Sequence, residues 1–351
     1  MNCPKTRFKK EDTMKKILPV LLTAALLGSA ITGCAAKTVE ETTAAQTTAA
    51  QTTAAETKAE AETEAKDESQ APETQAETEA DASDSVTEAA MSYFADFPED
   101  KHMINVSDLF AKMDAGEDML IIDIRQPDAY AEGHLKGAVN IPYGPAIAEN
   151  LEKIPDDVML YINCYTGQTS SQTVALLAMA GKYTTNIQSG YNNGISKAEG
   201  FEAYIETTEN VLPDESYEVD EAIAKAIADY YAEATSNTFS SFNFPADALG
   251  ELVEAESEDY TILSIRQAKD FEEGHIAGAI NIPFGKGMQE QLAQLPKDKP
   301  IVVYCYTGQT ASQTLAVLRM LGYEAYNLAG GMGSEESGAG WLGKGLPVVT
   351  D

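Results

Sequence analysis

Two cysteines lie in nearly identical loops, and they are the residues of this chain best placed to do chemistry. Cys164 opens the segment Cys-Tyr-Thr-Gly-Gln-Thr-Ser-Ser-Gln-Thr, and the segment that Cys305 opens matches it at nine of ten positions. A loop between a strand and a helix can turn backbone N–H groups toward the sulfur, and the helix amino terminus adds partial positive charge. Both effects stabilise a thiolate, which is the nucleophilic form of cysteine.

Free cysteines are also common in protein cores, where they do no chemistry. The polar residues of the loop recur together with the cysteine, which a role in the core would not require. Gly167 and Gly308 occupy the position where a curled backbone would exclude a side chain. We therefore interpret both loops as reactive.

The cysteine loops belong to a longer internal repeat. The segment 121–144 recurs as 262–285 with 13 of 24 positions identical, at the same spacing as the two loops. Such a repeat predicts two copies of one domain, at residues 91–213 and 214–351. The second copy would begin with an amphipathic helix at 219–234.

Within each copy, short apolar runs rich in β-branched residues alternate with helical runs. An alternation of this kind predicts an α/β domain with a parallel sheet covered by helices. Functional sites in such sheets lie where a strand ends and the next helix begins, which is where both cysteines stand. The predicted strands are 119–124, 158–163, 184–188, 260–265, 301–304 and 324–329, and the helices after the cysteine loops are 170–180 and 311–321.

Both copies resemble rhodanese-like domains, a superfamily of thiosulfate and persulfide sulfurtransferases. The motifs Asp-x-Arg, Gly-His-x-x-Gly-Ala-x-Asn-Ile-Pro and Cys-x-x-Gly-x-Thr stand in the family's order, over about 105–200 and 243–350, with Ser264 replacing the aspartate in the second copy. The resemblance implies two domains, each with a parallel central sheet flanked by helices on both faces. It also implies that Cys164 and Cys305 carry a sulfane sulfur as a persulfide.

The resemblance further implies which residues surround the sulfur. Arg125 and Arg266 are candidate anion contacts, whereas His134 and His275 would support a turn rather than act as bases. The amides and hydroxyls that would bind the persulfide are those of Tyr165, Thr166, Gly167, Gln168 and Thr169, and of Tyr306, Thr307, Gly308, Gln309 and Thr310.

Neither loop contains the arginine or lysine that many relatives use to hold an anionic donor. This favours a neutral or protein-bound sulfur donor over thiosulfate, with a thiol or another nucleophile as acceptor. Two other functions remain open. One is a surface-anchored binding or sulfur-carrier module without turnover. The less favoured one is a phosphatase or arsenate reductase, which would need arginine where Ser170 and Ala311 stand.

The amino terminus has the pattern of an export signal. Two lysines after Met14 precede an uncharged run at 17–33 and then Cys34. The end of this run resembles the lipobox of bacterial lipoproteins. That resemblance predicts a signal peptide at 1–33, lipid attachment at Cys34 and a protein anchored outside the cytoplasm. A membrane-spanning helix or ordinary secretion is the alternative, and translation could start at Met1 or Met14.

Residues 34–90 are predicted to be a disordered acidic tether. From residue 35 onward they contain no aromatic residue, isoleucine or leucine, and 14 acidic residues against 3 basic ones. The formal charge of the whole chain is −32, which disfavours binding to nucleic acid or to an anionic membrane surface. Three histidines and no phosphate-binding or nicotinamide motif predict neither a metal site nor a cofactor.

Overall fold

The computed structural model describes residues 73–350, with side chains from residue 83. Helix α1 (Glu73–Ala95) begins inside the segment predicted to be a tether, so that prediction is wrong for residues 73–90. The apolar side chains at the end of the segment, including Ala90, continue into Tyr93 and Phe94 and are buried with them. The prediction used the average composition of residues 34–90, and this average does not show that the last residues form the apolar face of a helix. Residues 34–72 and the predicted signal at 1–33 lie outside the described residues.

The first domain is built on a five-stranded sheet in which every pair of neighbouring strands is parallel. Its elements are β1 (Met103–Ile104), α2 (Val106–Ala115), β2 (Met119–Asp123), α3 (Pro127–Glu132), β3 (His134–Leu135), β4 (Val139–Asn140), α4 (Pro145–Glu149), β5 (Met159–Asn163), α5 (Gln168–Met179), β6 (Thr184–Ile187) and β7 (Ile205–Glu206). The strand order is β1-β6-β5-β2-β4, and β3 pairs separately with β7.

The second domain repeats this architecture. Its elements are α6 (Glu221–Ser236), β8 (Asn243–Phe244), α7 (Ala246–Glu254), β9 (Thr261–Ser264), α8 (Ala268–Glu273), β10 (Ile280–Asn281), α9 (Gln289–Leu292), β11 (Ile301–Tyr304), α10 (Gln309–Met320), β12 (Ala325–Leu328) and α11 (Gly340–Gly343). The order β8-β12-β11-β9-β10 is equivalent to that of the first sheet, and its pairs are likewise parallel. The predicted fold class is therefore confirmed. In the described part of the chain, none of the helices is long and apolar enough to cross a membrane.

The two domains pack through the helices that follow the cysteine loops, α5 and α10. The facing sides of these helices carry polar residues that are completely buried, among them Gln172 and Gln313. Gln172 donates to the Ser241 carbonyl of the second domain (2.9 Å). Gln313 donates to the Lys101 carbonyl of the first domain (3.1 Å). Hydrogen bonding across the interface thus satisfies amides whose burial would otherwise be unfavourable.

The helix that precedes each domain contacts the other domain across this interface. In α1, the Tyr93 hydroxyl donates to Gln313 Oε1 of the second domain (3.0 Å). In α6, the Tyr230 hydroxyl donates to Gln172 Oε1 of the first domain (2.9 Å). Burial raises the pKa of both tyrosines well above the usual value, which keeps each hydroxyl protonated as a donor. Each domain is therefore completed by the helix that precedes the other.

This arrangement predicts that the two domains unfold together. Replacement of Leu109, which is fully buried in the first domain, should lower the free energy of unfolding by about 2 to 5 kcal/mol. The only tryptophan, Trp341, is buried in the second domain and reports on it by fluorescence. In Leu109→Ala, the urea midpoint followed by Trp341 should fall as far as the midpoint followed by circular dichroism.

The matched change Leu249→Ala, at a fully buried site in the second domain, should lower both midpoints in the same way. A Trp341 transition that stays at the wild-type midpoint in Leu109→Ala would show that the domains unfold independently.

Candidate active site

Each predicted reactive cysteine directly follows the central strand of its sheet. Cys164 follows β5 and Cys305 follows β11, at the carboxyl edge where α/β domains place their sites. Both residues are almost fully buried, with 1% and 2% of their surface exposed. The tyrosines that follow, Tyr165 and Tyr306, are exposed. Each sulfur therefore lies at the base of a loop whose next side chain reaches solvent.

Backbone amides of the loop point at each sulfur, as the sequence predicted. The N–H of Gly167 donates to Cys164 Sγ, and the N–H of Gly308 donates to Cys305 Sγ, both at 3.1 Å. The two glycines have φ values of 85° and 83°, in the left-handed region that a side chain disfavours. Each glycine is also the N-cap residue of a twelve-residue helix, α5 or α10. The partial positive charge of a helix amino terminus therefore lies near the sulfur.

A second pair of glycines allows the chain after the next strand to pass directly beneath the loop. A Cβ atom on Gly331 would lie 2.7 Å from the Cys305 carbonyl oxygen and 2.7 Å from the Gly308 nitrogen. Gly190 makes the equivalent approach in the first domain. These contacts involve backbone atoms, which cannot turn away as a side chain can. The sequence analysis did not single out either glycine, although their matching positions in the repeat could have shown them.

The side chains of two loop glutamines contact the opposite domain, while the predicted role of their backbone amides stays a prediction. Gln168 reaches into the second domain, where its Oε1 accepts from the Gly330 amide (3.0 Å). Gln309 reaches into the first domain, where its Oε1 accepts from the Ser189 amide (2.8 Å). Their side chains therefore fasten each loop to the opposite domain. The repetition of polar residues in the loop thus has a structural cause, which the sequence alone did not reveal.

The remaining loop side chains make local hydrogen bonds. Thr166 and Thr307 accept from the amides of the neighbouring glutamines, and Thr169 and Thr310 lie half-buried, each accepting through its carbonyl from a threonine one turn later. The Tyr165 hydroxyl accepts from the Gln126 amide, and the Tyr306 hydroxyl from the Gln267 amide, each at 3.2 Å. Burial and a hydrogen bond to Asp270 raise the pKa of Tyr306, so it stays a neutral phenol.

The two arginines proposed as anion contacts are buried and engaged elsewhere. Arg125 is 3% exposed and forms an ion pair with Asp123 (2.7 Å), and it also donates to the Gly133 carbonyl. Arg266 is 7% exposed and donates to the Asp270 and Gly274 carbonyls. Both arginines therefore support the turn before the next strand, and their role as anion contacts stays a prediction.

The histidines also have structural roles. His134 bonds to the carbonyls of Tyr130 (2.8 Å) and Thr208 (2.9 Å), and His275 bonds to the carbonyl of Phe271 (3.0 Å). Each imidazole ring stacks on the aromatic ring four residues earlier. These contacts confirm the prediction that the histidines support a turn.

Three site residues escaped the sequence analysis. Ser170 donates toward Cys164 Sγ at 3.1 Å and toward Asn186 Oδ1 at 2.6 Å. The equivalent asparagine of the second domain, Asn327, is also fully buried, and the amide of Ala311 lies 3.4 Å from Cys305 Sγ. Two features of the sequence could have indicated them. Ser170 and Ala311 form the one mismatch in the repeated loop. The two asparagines occupy matching positions in β6 and β12, which are equivalent strands of the two domains.

A cavity in the first domain lies away from the cysteine loop. A cavity of about 550 Å³ lies by Met119, at the amino end of β2, and is lined by Lys136 and Tyr204 among others. It is therefore at the opposite end of the strand from the edge that carries the cysteine. Within residues 73–350, no group of three or more His, Cys, Asp or Glu side chains is placed to hold a metal ion.

The close approach beneath the loop predicts that Gly331→Ala disrupts the second site. Its Cβ would press on backbone atoms of the loop, so we expect a loss of about 3 kcal/mol or more in the free energy of unfolding. Gly322→Ala is the matched control. Gly322 has a similar positive φ but open space around its Cα, so only the backbone cost of about 1 to 2 kcal/mol should remain.

Urea unfolding and alkylation of Cys305 measure this difference, with Cys164 as the internal reference. Equal destabilisation and unchanged alkylation in both variants would show that the close backbone contact beneath the loop does not add to the loss in the free energy of unfolding.

Both domains match a known family, and parts of the chain resemble known proteins. The family model described as "Rhodanese-like domain" matches residues 106–206 and 246–334. The chain is 31% identical over 96 residues to a sulfurtransferase of Allochromatium vinosum, covering 27% of this chain and 83% of that protein. It is 37% identical over 74 residues to the thiosulfate sulfurtransferase GlpE of Coxiella burnetii, covering 21% of this chain and 68% of that protein. A solved structure described as a probable thiosulfate sulfurtransferase is 23% identical, with a TM-score of 0.28, and covers 66% of this chain and 97% of its own.

Proposed function

The chain belongs to the rhodanese-like domain family, and on this premise we propose that it transfers sulfane sulfur through persulfides on Cys164 and Cys305. The observation that carries the proposal is the pair of glycine amides that donate to the two sulfurs at 3.1 Å. Named relatives of the sulfurtransferase type support the reaction class.

The reaction consists of two exchanges at sulfur. The cysteine thiolate attacks the terminal sulfur of a donor R–S–S⁻, the donor S–S bond breaks, and the products are Cys–S–S⁻ and R–S⁻. An acceptor thiolate then attacks the outer sulfur of Cys–S–S⁻, which forms a new persulfide and restores the cysteine thiolate. One sulfur atom moves in each exchange, and charge is conserved without an external oxidant or reductant.

The loop amides supply the electrostatic part of this chemistry. Each cysteine is almost fully buried, and a buried anion is costly unless donors replace the lost water. The fixed N–H of Gly167 or Gly308 provides such a donor without reorganisation. No base is required in this scheme, because the nucleophile is a thiolate stabilised by the loop.

The charges around the site favour a neutral or protein-bound sulfur donor over thiosulfate. The loops contain no cation, and Arg125 and Arg266 are held in buried contacts with their own domains. A dianion such as thiosulfate would therefore approach an acidic protein without a compensating charge. The missing arginine in the loop also argues against the phosphatase or arsenate reductase alternative.

Mass spectrometry of the two cysteine peptides after incubation with a donor tests the proposal. With polysulfide, each peptide of the wild-type chain should gain the mass of one sulfur atom. Cys164→Ser and Cys305→Ser should each lose the addition at the substituted site and keep it at the other. Thiosulfate should give less loading than a monoanionic persulfide of a small thiol at equal concentration, because thiosulfate brings two negative charges to loops without a cation.

Ser312→Ala serves as a control. Ser312 lies on α10, close after the second loop, and its buried hydroxyl has no hydrogen-bond partner. Its loading should match the wild type. If neither cysteine gains sulfur from any of these donors, the sulfurtransferase proposal fails and the binding-module alternative remains. Preferential loading by thiosulfate would refute only the choice of donor.

We further propose that the protein is lipid-anchored outside the cytoplasm through Cys34. The support is the sequence pattern of two lysines, an uncharged run and a cysteine after small residues. In the native bacterial host, metabolic labelling with a radioactive fatty acid should label the wild-type protein and fail to label Cys34→Ala. Cys164→Ser should keep the label, and a label that survives in Cys34→Ala would exclude this anchor.

A further inference from the structure

The two cysteine loops differ at one residue, and the side chain of that residue contacts the sulfur in only one of them. Ser170 Oγ lies 3.1 Å from Cys164 Sγ and 2.6 Å from Asn186 Oδ1. Ala311 occupies the equivalent position beside Cys305 and has no hydroxyl. The first site therefore has a movable side-chain donor that the second site lacks, while a glycine amide lies at the same distance in both. The second site has instead the fixed backbone amide of Ala311, at a longer distance of 3.4 Å from Cys305 Sγ.

The orientation of the Asn186 amide is fixed from the other domain. Gln309 Oε1 accepts from the backbone N–H of Ser189, which can only donate. Asn186 must then present its Nδ2 group to Gln309 Oε1 (3.1 Å), and its Oδ1 atom consequently faces Ser170. The single hydroxyl proton of Ser170 thus has two acceptors to choose from, Asn186 Oδ1 and the sulfur.

The charge on the sulfur decides that choice. When Cys164 is a thiol, its S–H can donate to Ser170 Oγ while the hydroxyl donates to Asn186. When Cys164 is a thiolate, it can only accept, and a hydrogen bond to an anion is stronger than one to a neutral amide oxygen. The hydroxyl then gains more by donating to the sulfur than it loses at Asn186.

The second site shows what happens without the hydroxyl. Asn327 Nδ2 donates to Gln168 Oε1 (2.9 Å) and to Asn243 Oδ1 (2.8 Å), so this amide is oriented in the same manner. Its Oδ1 atom is buried and has no hydrogen-bond partner. The polar position that Ser170 satisfies in the first domain is therefore still present in the second, but unfilled.

We propose that Ser170 makes the two sites unequal, with its hydroxyl turning to the sulfur of Cys164 whenever that sulfur is anionic. Ser170 is a positioning residue that stabilises the thiolate of Cys164, and Cys305 lacks this stabilisation. The inference rests on the proposed function only in its consequence for sulfur transfer, since ionisation can be measured without any donor.

The consequence concerns both exchanges. At a pH between the two ionisation midpoints, more of Cys164 than of Cys305 is the thiolate that attacks the donor. In the second exchange the cysteine leaves as a thiolate, and a better stabilised thiolate leaves faster. The first domain should therefore load and discharge sulfur at lower pH than the second domain.

The test is alkylation of the full chain by iodoacetamide as a function of pH, with each cysteine quantified by peptide mass spectrometry. In the wild type, alkylation of Cys164 should reach half its maximal rate at a lower pH than alkylation of Cys305 does. Ser170→Ala should move the Cys164 midpoint to higher pH and leave Cys305 unchanged. The reciprocal change Ala311→Ser should lower the Cys305 midpoint and leave Cys164 unchanged.

Ser171→Ala is the matched control. Ser171 follows Ser170 on α5, is equally buried, and its hydroxyl has no hydrogen-bond partner. The variant should leave both midpoints at their wild-type values. A merely structural role for Ser170 would appear as a loss of stability in urea with no movement of the midpoint, and that result would overturn the proposal.

Loading with polysulfide over the same pH range separates this inference from the proposed function. Equal midpoints in the wild type, with sulfur added to both cysteines, would refute the asymmetry and leave the sulfurtransferase standing. A shifted midpoint in Ser170→Ala without any sulfur addition would support the asymmetry and refute the transfer. Absence of alkylation at both cysteines would refute both.

Discussion

The structure depends on a reciprocal hydrogen-bonded contact in which each cysteine loop is fastened to the opposite domain. Gln168 follows Gly167 in the first loop and accepts from Asn327 and Gly330, while Gln309 does the same toward Asn186 and Ser189. These bonds are shielded from water, so leaving any of them unmade would cost more than the net gain of a surface hydrogen bond. The left-handed backbone at Gly167 and Gly308 is thereby held in place from outside its own domain. The two sites are consequently parts of one packed unit.

The contact also explains why both domains place their preceding helix against the other. Tyr93 and Tyr230 bring hydroxyls to Gln313 and Gln172, which lie one helical turn beyond the loop glutamines. A domain separated from its partner would expose the polar face of α5 or α10 together with these apolar helices. The sequence repeat therefore describes two domains that are alike, but the interface makes them depend on each other for stability.

The sequence predicted the elements that alternate along each copy, because strands and helices are set by local periodicity. The strand Ile301–Tyr304 was predicted with the bounds that the structure shows, and the other five predicted strands differ by one or two residues. The two-residue strands β1, β3, β4, β7, β8 and β10 were not predicted, because they are too short to show a periodicity. The glycine amides near the sulfurs were also predictable, since they follow from a strand, a loop and a helix in succession. The roles of Gln168 and Gln309 were not, because their partners are more than a hundred residues away and belong to a different domain. Likewise, the place of Arg125 could not be read from spacing, since its burial depends on how Asp123 and Gly133 fold around it.

Burial of the sulfur and the asymmetry between the copies arise from the same constraint. A cysteine that is 1% or 2% exposed excludes water, which strengthens each nearby hydrogen bond and raises the penalty for each missing one. In such surroundings a single hydroxyl has a larger effect than it would at a surface. The first domain has that hydroxyl in Ser170, whereas the second leaves Asn327 Oδ1 unsatisfied. Two loops that differ at one position can therefore differ in chemistry, even though their backbones and their glutamine contacts are equivalent.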